Sequence, residues 1–570
     1  MKGCYGYLLL VVLFVASICI GAENITILVD TFSYARKMKT KDPFICVTLD
    51  WWPNNKCDSP DGQSDCSWID SSILSLDIND PRIVNALDAL GNVTLRLGGT
   101  LADQITYQVG NDGNVDCPSF QPEPPTKAKV FKGGCLTDDR WIAMLDFCEK
   151  RPGCNVIFGL NAMRGRECVN VEPTHAECFW KQAICTNGWN STNARELIRF
   201  TAAQGYKDIT YELGNELNCL TAEQYSSSIF ELYNILQETV VDYNLPVIPN
   251  IIVTDSYEYM PYFLKELLPN VKKIVKAFTW HDYPLQAGVE CSGERAENNT
   301  DVDEIIMNSR GMDKFLSLAS DLDNLIDSVA SEMAIGIGES GGAFNSGCTG
   351  STNSFMSAFW YINSLGGLAL RGHDFFCRQT LTGGNYELIN KITHVPNPDY
   401  YAALLFGRLM SSTVLNVQVV SKESNLVVYA HCTPFNEDTK DYFQYGSVTL
   451  LYLNYNDVEM DINEIRSAEN EDITLEMSPR YEYILTGIPK ESVNVDNLHS
   501  DRVALNQVYL HPDEDGMIPP LVPVFIDSTH NHSDVVNGPQ DLPYVITVPP
   551  QSYGFFVFPT WNHVACMPIS

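Results

Sequence analysis

Two glutamates close strand-like segments of the sequence, Glu216 in YELGNE and Glu339 in GIGESGG. A pair of carboxyl groups flanking a glycosidic bond can hydrolyse it, because one protonates the leaving oxygen while the other attacks the anomeric carbon or activates water. A carboxyl that acts as the acid near neutral pH needs a raised pKa, which the charge of a neighbouring glutamate can supply. The alternative is that each glutamate is an ordinary solvated residue at a strand end.

Eight short apolar runs alternate with helix-like stretches from residue 44 onward. This alternation is typical of βα units, and each run is nearly all apolar, as a strand buried on both faces should be. Eight such units predict an α/β fold, a (β/α)8 TIM barrel. The runs cover residues 44–52, 93–99, 155–162, 209–216, 246–254, 274–283, 332–340 and 367–376. Helix-like stretches between them include residues 137–150, 222–241 and 313–332.

Catalytic groups of such barrels stand at the carboxyl ends of the strands. Glu216 and Glu339 end the fourth and seventh runs, which lie across the barrel mouth from each other. Inward-pointing side chains from both can approach to about 5–5.5 Å, the separation of a retaining glycosidase. Asn215, just before Glu216, can offer its amide to a sugar 2-hydroxyl, where hydrogen bonds strengthen in the transition state.

The pattern changes after a last helix-like stretch at 397–410. Alternating strand runs such as NLVVYAHC, SVTLLYLNY and SYGFFVFP follow, with no strong helix. We therefore expect a catalytic barrel over residues 44–400 and a C-terminal β-sandwich over 401–570. The segment of residues 23–43 precedes the first barrel strand and is expected to add a strand to the sandwich.

The first 22 residues carry one lysine, then an apolar run, and end on small residues, which predicts a secretory signal peptide over 1–22. A membrane anchor is the alternative, but the apolar core is short and no later segment is apolar enough to span a bilayer. We expect no integral membrane segment and a secreted, extracellular protein, with the cell wall, lysosome or vacuole as possible destinations.

The cysteine content also indicates a secreted protein. Of the 18 cysteines, Cys4 and Cys19 leave with the signal, and the remaining even number predicts disulfides. Cys57 with Cys66 is the one local pairing that we predict. A zinc site would need close pairs such as CxxC, and none occurs. Five glycosylation sequons add to the secretory pattern, at Asn24, Asn92, Asn190, Asn298 and Asn531.

The chain is strongly acidic, with 71 acidic and 37 basic residues and a formal net charge of −34. Such a surface repels nucleic acids and other polyanions, so no nucleic-acid partner is expected. The charge suits acidic surroundings, or it only aids solubility. We find no metal cluster, phosphate-binding loop or nucleotide motif, and therefore expect no cofactor and no metal.

Several long stretches resemble heparanase-like proteins, glycoside hydrolase family 79, and most closely its plant-type members. The matching stretches cover most of residues 44–410 and include DWWPNNKC, RLGGTLADQITYQVGN, VIFGLNAMRGR, YELGNELN, GESGGAFNSG, CRQTLTGGNYELIN and PNPDYYAALLFGRLM. The resemblance implies Glu216 as the acid/base, Glu339 as the nucleophile and retention of configuration.

The resemblance also implies a sugar-binding subsite. Asp50 and Thr100 would meet sugar hydroxyls, Asn215 the 2-hydroxyl, and Tyr283 the nucleophile. The residues near the glucuronate carboxylate would be Gln379, Gly384 and Tyr386. The family holds this carboxylate with backbone amides and a Tyr hydroxyl rather than with an Arg. Each of these supporting residues could instead be a turn former or a packing residue.

Two nearby groups are left outside the site. We expect His281 to be a satisfied buried histidine, and Arg96 and Asp103 to form a structural ion pair at the barrel mouth. The chain also departs from animal heparanases: it has Asn345-Ser346 where they have a glycine pair, Asp282 where they have a second histidine, and a Cys-rich insert at 167–185.

Three functions are consistent with these patterns. The favoured hypothesis is an exo-acting β-glucuronidase whose partner is a carbohydrate, either a small β-glucuronide or a glycan bearing glucuronic acid. A heparanase-type endo-β-glucuronidase is the second, although a sulfated polyanion needs a basic cleft and no Lys/Arg cluster lies near the site motifs. A non-catalytic glycan-binding protein on the same fold is the third; its mark would be loss of a catalytic carboxylate, and both are present.

Overall fold

The computed structural model describes residues 25–35, 43–57, 66–109, 117–122, 131–170, 183–217, 219–254, 260–285, 300–421, 425–436, 439–467, 479–527 and 545–568. The expected signal peptide of residues 1–22 lies outside the described residues, as do the sequons at Asn24, Asn298 and Asn531. Within the described ranges, no helix combines the length and the apolarity that crossing a bilayer requires.

Eight parallel strands form a closed barrel, which confirms the expected (β/α)8 architecture. We number them barrel strands 1 to 8 in chain order: Ile45–Leu49, Val93–Leu97, Cys154–Leu160, Ile209–Leu213, Ile251–Thr254, Ala277–His281, Ala334–Ser340 and Phe375–Arg378. Strand 8 pairs in parallel with strand 1 and closes the ring. Nearly every strand residue is buried, as expected for strands covered on both faces.

Helices surround the barrel, with at least one after every strand. They span Pro81–Leu90, Asp138–Glu149, Thr192–Ala203, Ala222–Tyr243, Pro261–Val271, Thr300–Ile306, Asp313–Ala330, Ser357–Leu370 and Pro398–Leu409. Their starts follow local sequence signals. Thr221 and Gln224, for example, form a reciprocal capping box that satisfies backbone donors at the start of Ala222–Tyr243.

The eighth strand differs from the run at 367–376. Residues up to Leu370 belong to the helix Ser357–Leu370, and the strand is Phe375–Arg378. This helix contacts both other helices and strands of the C-terminal sheet, and its residues are buried from Ser357 to Ala369. A helix buried on all sides has no polar face, so its sequence cannot be distinguished from a buried strand by periodicity.

The C-terminal region is one large curled sheet of 11 strands, including Ile25–Ala35 from the N-terminal segment. Ile25–Ala35 pairs antiparallel with Thr413–Val420 and parallel with Met460–Ser467. The other strands are Leu426–Cys432, Val448–Asn454, Arg480–Gly487, Val503–Leu505, Val508–Tyr509, Val524–Ile526, Ile546–Val548 and Ser552–Phe558. One face of the curled sheet encloses its own apolar cluster, while alternate residues such as Leu451 and Phe555 join the core shared with the barrel.

In the part of the barrel loops that the structure describes, there are three short two-stranded ladders. They pair Thr106–Gln108 with Cys135–Thr137, Gln121–Pro122 with Phe131–Lys132, and Glu167–Asn170 with Ala183–Thr186. The last of these forms the ends of the Cys-rich insert.

Disulfides tie these loops and the barrel itself. The predicted Cys57–Cys66 bond is confirmed. Other bonds are Cys46–Cys377, Cys117–Cys135, Cys148–Cys154, Cys168–Cys185 and Cys432–Cys566. The bond between Cys46 and Cys377 joins paired positions of barrel strands 1 and 8, where the barrel closes.

Candidate active site

The carboxyl groups of Glu216 and Glu339 lie together at the carboxyl end of the barrel. Glu339 belongs to barrel strand 7, and Glu216 follows barrel strand 4 by three residues. One carboxyl oxygen of each and one ring nitrogen of His281 all lie within 4.8 Å of one another. The backbone of Glu216 adopts a left-handed φ of 51°; this conformation costs a non-glycine residue about 1–3 kcal/mol and is concentrated at functional sites.

Glu339 is held at both oxygens. Arg96 Nη1 donates to Oε2 at 3.1 Å, and the Tyr283 hydroxyl donates to Oε1 at 2.6 Å. Arg96 also donates through Nε to Glu212 Oε2 at 2.8 Å and through Nη2 to Asn215 Oδ1 at 3.0 Å. Because Arg96 and Glu212 are fully buried, this network fixes the orientation of Glu339 from below.

The predicted ion pair between Arg96 and Asp103 is wrong. Asp103 instead accepts hydrogen bonds from the backbone N–H groups of Ala162 and Asn215, at 2.7 and 2.8 Å. Arg96 turns to the barrel interior because Glu212, on strand 4, and Glu339 offer it two carboxylates there. The side chain that we expected to be structural therefore contacts the candidate nucleophile.

Glu216 has a different environment from Glu339. Its Oε1 lies 2.9 Å from Nδ1 of His281. Burial raises the pKa of Glu216 to about 7, against the opposing effect of the Arg96 charge. Burial also lowers the pKa of His281 to about 4, so that its ring is neutral at neutral pH. His281, left outside the site by sequence, thus contacts the candidate acid; its place at the end of barrel strand 6 was the available signal.

Asp50 and Gln379 form a second buried pair beside the glutamates. Asp50 accepts from the Gln379 side-chain amide at 2.8 Å and from the Trp51 backbone at 2.6 Å. Burial and then the charge of Glu339 raise the pKa of Asp50 to about 7. Gly99 makes room for this carboxyl: its φ is 127°, and a Cβ there would lie 2.6 Å from the Asp50 carboxyl. Thr100 follows, half-buried, at the start of a short turn.

Gly384 and Tyr386 lie in the loop after barrel strand 8. The Gly384 N–H donates to the Ser67 carbonyl at 2.7 Å, so this backbone amide already serves the protein. The Tyr386 ring is buried and stands edge-on to Trp68. A Cβ added at Gly384 would lie 2.5 Å from this ring, so the glycine is needed for close packing.

Among the described residues, two clusters have spacings that a metal ion could bridge. Glu216, His281 and Glu339 form one, and Cys168, Cys185 and Cys219 form the other. In the first, Arg96 and Tyr283 already donate to both oxygens of Glu339. The three cysteines are disulfide-bonded and are not thiolate ligands. The side chains of these two clusters therefore favour acid–base chemistry by the carboxyl groups over the binding of a metal ion.

Comparison with known proteins agrees with this arrangement. Residues 24–366 match the model of glycosyl hydrolase family 79, N-terminal domain. The chain is 32% identical to baicalin-beta-D-glucuronidase of Scutellaria baicalensis, over 90% of each chain. It is 33% identical to heparanase-like protein 3 of Arabidopsis thaliana, over 86% of this chain and 87% of that one.

Among solved structures, the fold is similar to a GH51 alpha-L-arabinofuranosidase of Thermotoga petrophila. The TM-score is 0.55 at 12% identity, covering 94% of this chain and 100% of that one. At that identity the likeness concerns the fold alone. The family match, by contrast, includes Glu216 and Glu339, and the two relatives match most of the chain; the chain belongs to glycoside hydrolase family 79.

Proposed function

We propose that the protein is a secreted exo-β-glucuronidase that retains configuration through a double displacement. The observation that carries the proposal is the pair of glutamates whose carboxyl oxygens lie within 4.8 Å of one another. The two carboxyl groups of a retaining enzyme lie about 5–5.5 Å apart. Those of an inverting enzyme lie further apart, because a water must fit between one carboxyl group and the sugar. In this proposal residues 44–400 carry the catalysis, and the sheet of residues 401–570 supports the barrel.

The different surroundings of the two glutamates support their separate roles. Glu216, with its pKa raised to about 7 by burial, supplies the proton to the leaving oxygen. Glu339, oriented by Arg96 and Tyr283, attacks the anomeric carbon and forms a covalent glycosyl ester. In the second step Glu216 takes a proton from water, and the hydroxide displaces Glu339 from the sugar.

Neighbouring side chains have supporting roles in this mechanism. The Oδ1 of Asn215 accepts from Arg96, which leaves its Nδ2 as the end that donates to the sugar 2-hydroxyl. Asp50 and Thr100 are the proposed contacts to other sugar hydroxyls. Gln379 acts by holding Asp50, and Tyr386 is the proposed contact to the sugar carboxylate. Gly384 has a packing role.

The proposed substrate class is supported by the relatives of the chain and by its net charge. The relative from Scutellaria baicalensis is named a baicalin-beta-D-glucuronidase, which supports a β-glucuronide as substrate. A net charge of −34 disfavours a long sulfated polyanion, so exo action on small glucuronides or glucuronic-acid-bearing glycans is preferred to heparanase-type endo action. The disulfides among the described residues and the exposed sequons at Asn92 and Asn190 support passage through the secretory route.

The test compares an aryl β-glucuronide with the corresponding β-glucoside and β-galactoside. We expect the wild-type enzyme to prefer the glucuronide, and Glu216→Gln or Glu339→Gln to lower its kcat by about 10²–10⁴-fold or more. Glu238→Gln, a surface carboxylate that is 54% exposed, is the matched control and should retain activity. Preference for the glucoside would refute the glucuronidase proposal, and unchanged activity of either glutamine variant would refute the mechanism.

A further inference from the structure

Asp103 is a buried aspartate, with 9% of its surface exposed, in the short turn that follows barrel strand 2. Its two carboxyl oxygens accept from backbone N–H groups of two different loops. Oδ1 accepts from Ala162 at 2.7 Å, and Oδ2 accepts from Asn215 at 2.8 Å. Ala162 follows barrel strand 3 and Asn215 follows barrel strand 4. One side chain therefore joins the loops of three consecutive strands at the carboxyl end of the barrel.

The loops after strands 3 and 4 pack closely at the place where Asp103 joins them. A Cβ added at Gly214 would lie 2.9 Å from the Cβ of Ala162, so the glycine allows the two loops to approach. Asn161, the neighbour of Ala162, donates through Nδ2 to the Ile105 carbonyl at 2.9 Å. Ile105 directly follows the turn that carries Asp103. These contacts fix the turn and the two loops relative to one another.

The Asn215 N–H that Asp103 binds lies next to the strained residue of the site. Glu216 adopts a left-handed φ of 51°, which a non-glycine residue keeps only where its surroundings impose it. The side chain of Asn215 is held as well, because its Oδ1 accepts from Arg96 Nη2 at 3.0 Å. Asn215 is thus fixed through its backbone and through its side chain. The direction of the Glu216 carboxyl group depends on this fixed peptide.

A second buried aspartate of the barrel makes the same kind of bond far from the glutamates. Asp374 is 1% exposed, directly precedes barrel strand 8, and accepts from the Ile335 N–H at 3.1 Å. Ile335 is the second residue of barrel strand 7, so this bond lies at the amino end of the barrel. Asp103 binds its N–H groups at the carboxyl end, beside Glu216. Asp374 is therefore a matched comparison for the effect of position.

We propose that Asp103 is a positioning residue that directs the carboxyl group of Glu216 toward the leaving oxygen by holding the Asn215 N–H. This inference rests on the proposed function and adds to it the residue that orients the acid/base. Without the Asp103 carboxyl group, the N–H groups of Ala162 and Asn215 lose their acceptor, and Glu216 is free to relax to an ordinary right-handed φ. A displacement of a catalytic group by about 1 Å can lower a rate by about 100-fold.

The nucleophile should be less affected than the acid, because its supports lie elsewhere. Arg96 and Tyr283 orient Glu339 through bonds that do not involve Asp103. A poor leaving group needs a proton from the acid, whereas a good one, such as dinitrophenolate, departs without it. The ratio of the activities on two such substrates therefore reports the position of the acid. Because both activities are measured on one preparation, the fraction of folded protein cancels in the ratio.

The experiment measures kcat/KM for phenyl and dinitrophenyl β-glucuronide. We expect Asp103→Ala to lower the phenyl-to-dinitrophenyl ratio by about 10- to 100-fold, in the same direction as Glu216→Gln but by less. Asp103→Asn, which keeps one acceptor oxygen, should lie between Asp103→Ala and the wild type. Asp374→Ala is the control: it should lower the Tm and leave the ratio unchanged. Equal losses on the two substrates in Asp103→Ala would overturn the inference, because a purely structural role affects both alike.

A second measurement follows the return step of the reaction. In the proposed second displacement Glu216 takes a proton from water, so a misdirected carboxyl group should slow the release of the sugar from Glu339. Azide needs no base: it attacks the anomeric carbon, displaces the Glu339 carboxylate and gives the β-glucuronosyl azide. We expect azide to raise the kcat of Asp103→Ala on the dinitrophenyl substrate and to leave that of the wild type unchanged.

The outcomes separate this inference from the proposed function on which it rests. Azide that accelerates Glu216→Gln but not Asp103→Ala would also overturn the role of Asp103 and leave the proposed function standing. A wild-type enzyme that hydrolyses neither β-glucuronide, or a Glu216→Gln variant whose phenyl-to-dinitrophenyl ratio equals that of the wild type, would overturn the proposed function itself.

Discussion

Nδ1 of His281 lies 2.9 Å from Oε1 of Glu216. The histidine is buried, its pKa is lowered to about 4, and it therefore carries one proton at neutral pH. Nδ1 of a neutral ring is an acceptor in one tautomer and a donor in the other. His281 can accordingly bond to Glu216 both when the carboxyl is protonated and when it is ionised, as an acid that becomes a base during the reaction requires.

The pH dependence of activity should follow Glu216. Burial raises its pKa to about 7, and the first chemical step uses its protonated form. We expect kcat/KM for an aryl β-glucuronide to fall as pH rises through about 7, by about tenfold per pH unit beyond it. Glu216→Gln, assayed with an activated leaving group that needs no protonation, should lack this alkaline limb. An identical limb in both enzymes would assign the ionisation to another group.

The same pKa shift predicts a pH-dependent cost to stability. The pKa of Glu216 is raised in the folded protein to about 7, from an ordinary value of 4.5. Below the ordinary value both states hold the proton; as pH rises, the unfolded state releases it first, so stability falls through the window up to about 7. At 1.36 kcal/mol per pKa unit the cost reaches at most ~3 kcal/mol.

Glu216→Gln removes that cost. Its Tm should therefore exceed that of the wild type at pH 8 and match it near pH 4. Scanning calorimetry at the two pH values is the measurement. A Tm difference between Glu216→Gln and wild type that is the same at both values would contradict the raised pKa.

Arg96 is expected to serve both stability and chemistry. Arg96→Met leaves the Glu212 and Glu339 carboxylates in the barrel without their guanidinium, which should lower the free energy of unfolding by about 3–5 kcal/mol. It should also lower kcat, because Glu339 loses one of its two donors. Arg310→Met, at an 84% exposed arginine, is the control.

The two effects separate in a double variant. Arg96→Met with Glu212→Gln removes one of the stranded charges and should recover part of the stability but not the activity. Urea unfolding and initial rates measure the two quantities. Full recovery of kcat in the double variant would show that Arg96 contributes only to stability.

The ends of the barrel strands could be predicted from sequence because that information is local. Runs of apolar residues, each ending on a polar group, place Glu216 and Glu339 at the barrel mouth without knowledge of any long-range contact. The strand predicted at 367–376 was partly wrong, because the information that decides it is not local. The helix Ser357–Leu370 is buried on all sides, and only its tertiary surroundings distinguish it from a strand.

The contacts of Arg96 could not be predicted from local sequence patterns. Its partners Glu212 and Glu339 lie 116 and 243 residues away in sequence, and they meet only once the barrel has closed. Asp103, seven residues from Arg96, was the obvious partner by sequence, but it serves two backbone N–H groups.

The loop bearing Tyr386 should depend on a buried ion pair. Lys391 Nζ donates to Glu387 Oε1 at 3.2 Å and to the Gly384 carbonyl at 2.6 Å, and the Glu387 side chain is fully buried. Burial raises the pKa of Glu387, and Lys391→Met would remove the ammonium that opposes this effect.

We expect Lys391→Met to destabilise the protein by about 3–5 kcal/mol when Glu387 must be ionised. The loss should be larger at pH 8 than at pH 5, because a protonated Glu387 needs no cation. Lys391→Met with Glu387→Gln should recover most of the loss, as urea unfolding would show. An equal loss at the two pH values would show that the lysine acts through its carbonyl contact rather than through the ion pair.

Covalent trapping tests the central claim, that Glu216 and Glu339 share one substrate as acid and nucleophile. A 2-deoxy-2-fluoro-β-glucuronosyl fluoride slows both displacements, because the 2-fluorine destabilises the oxocarbenium-like transition state, while the fluoride leaving group keeps the first step accessible. Mass spectrometry of the digested protein should find the sugar esterified to Glu339, and Glu216→Gln should still be labelled. A label on Glu216 or on any other residue, or turnover of the probe without any accumulated ester, would contradict the assignment.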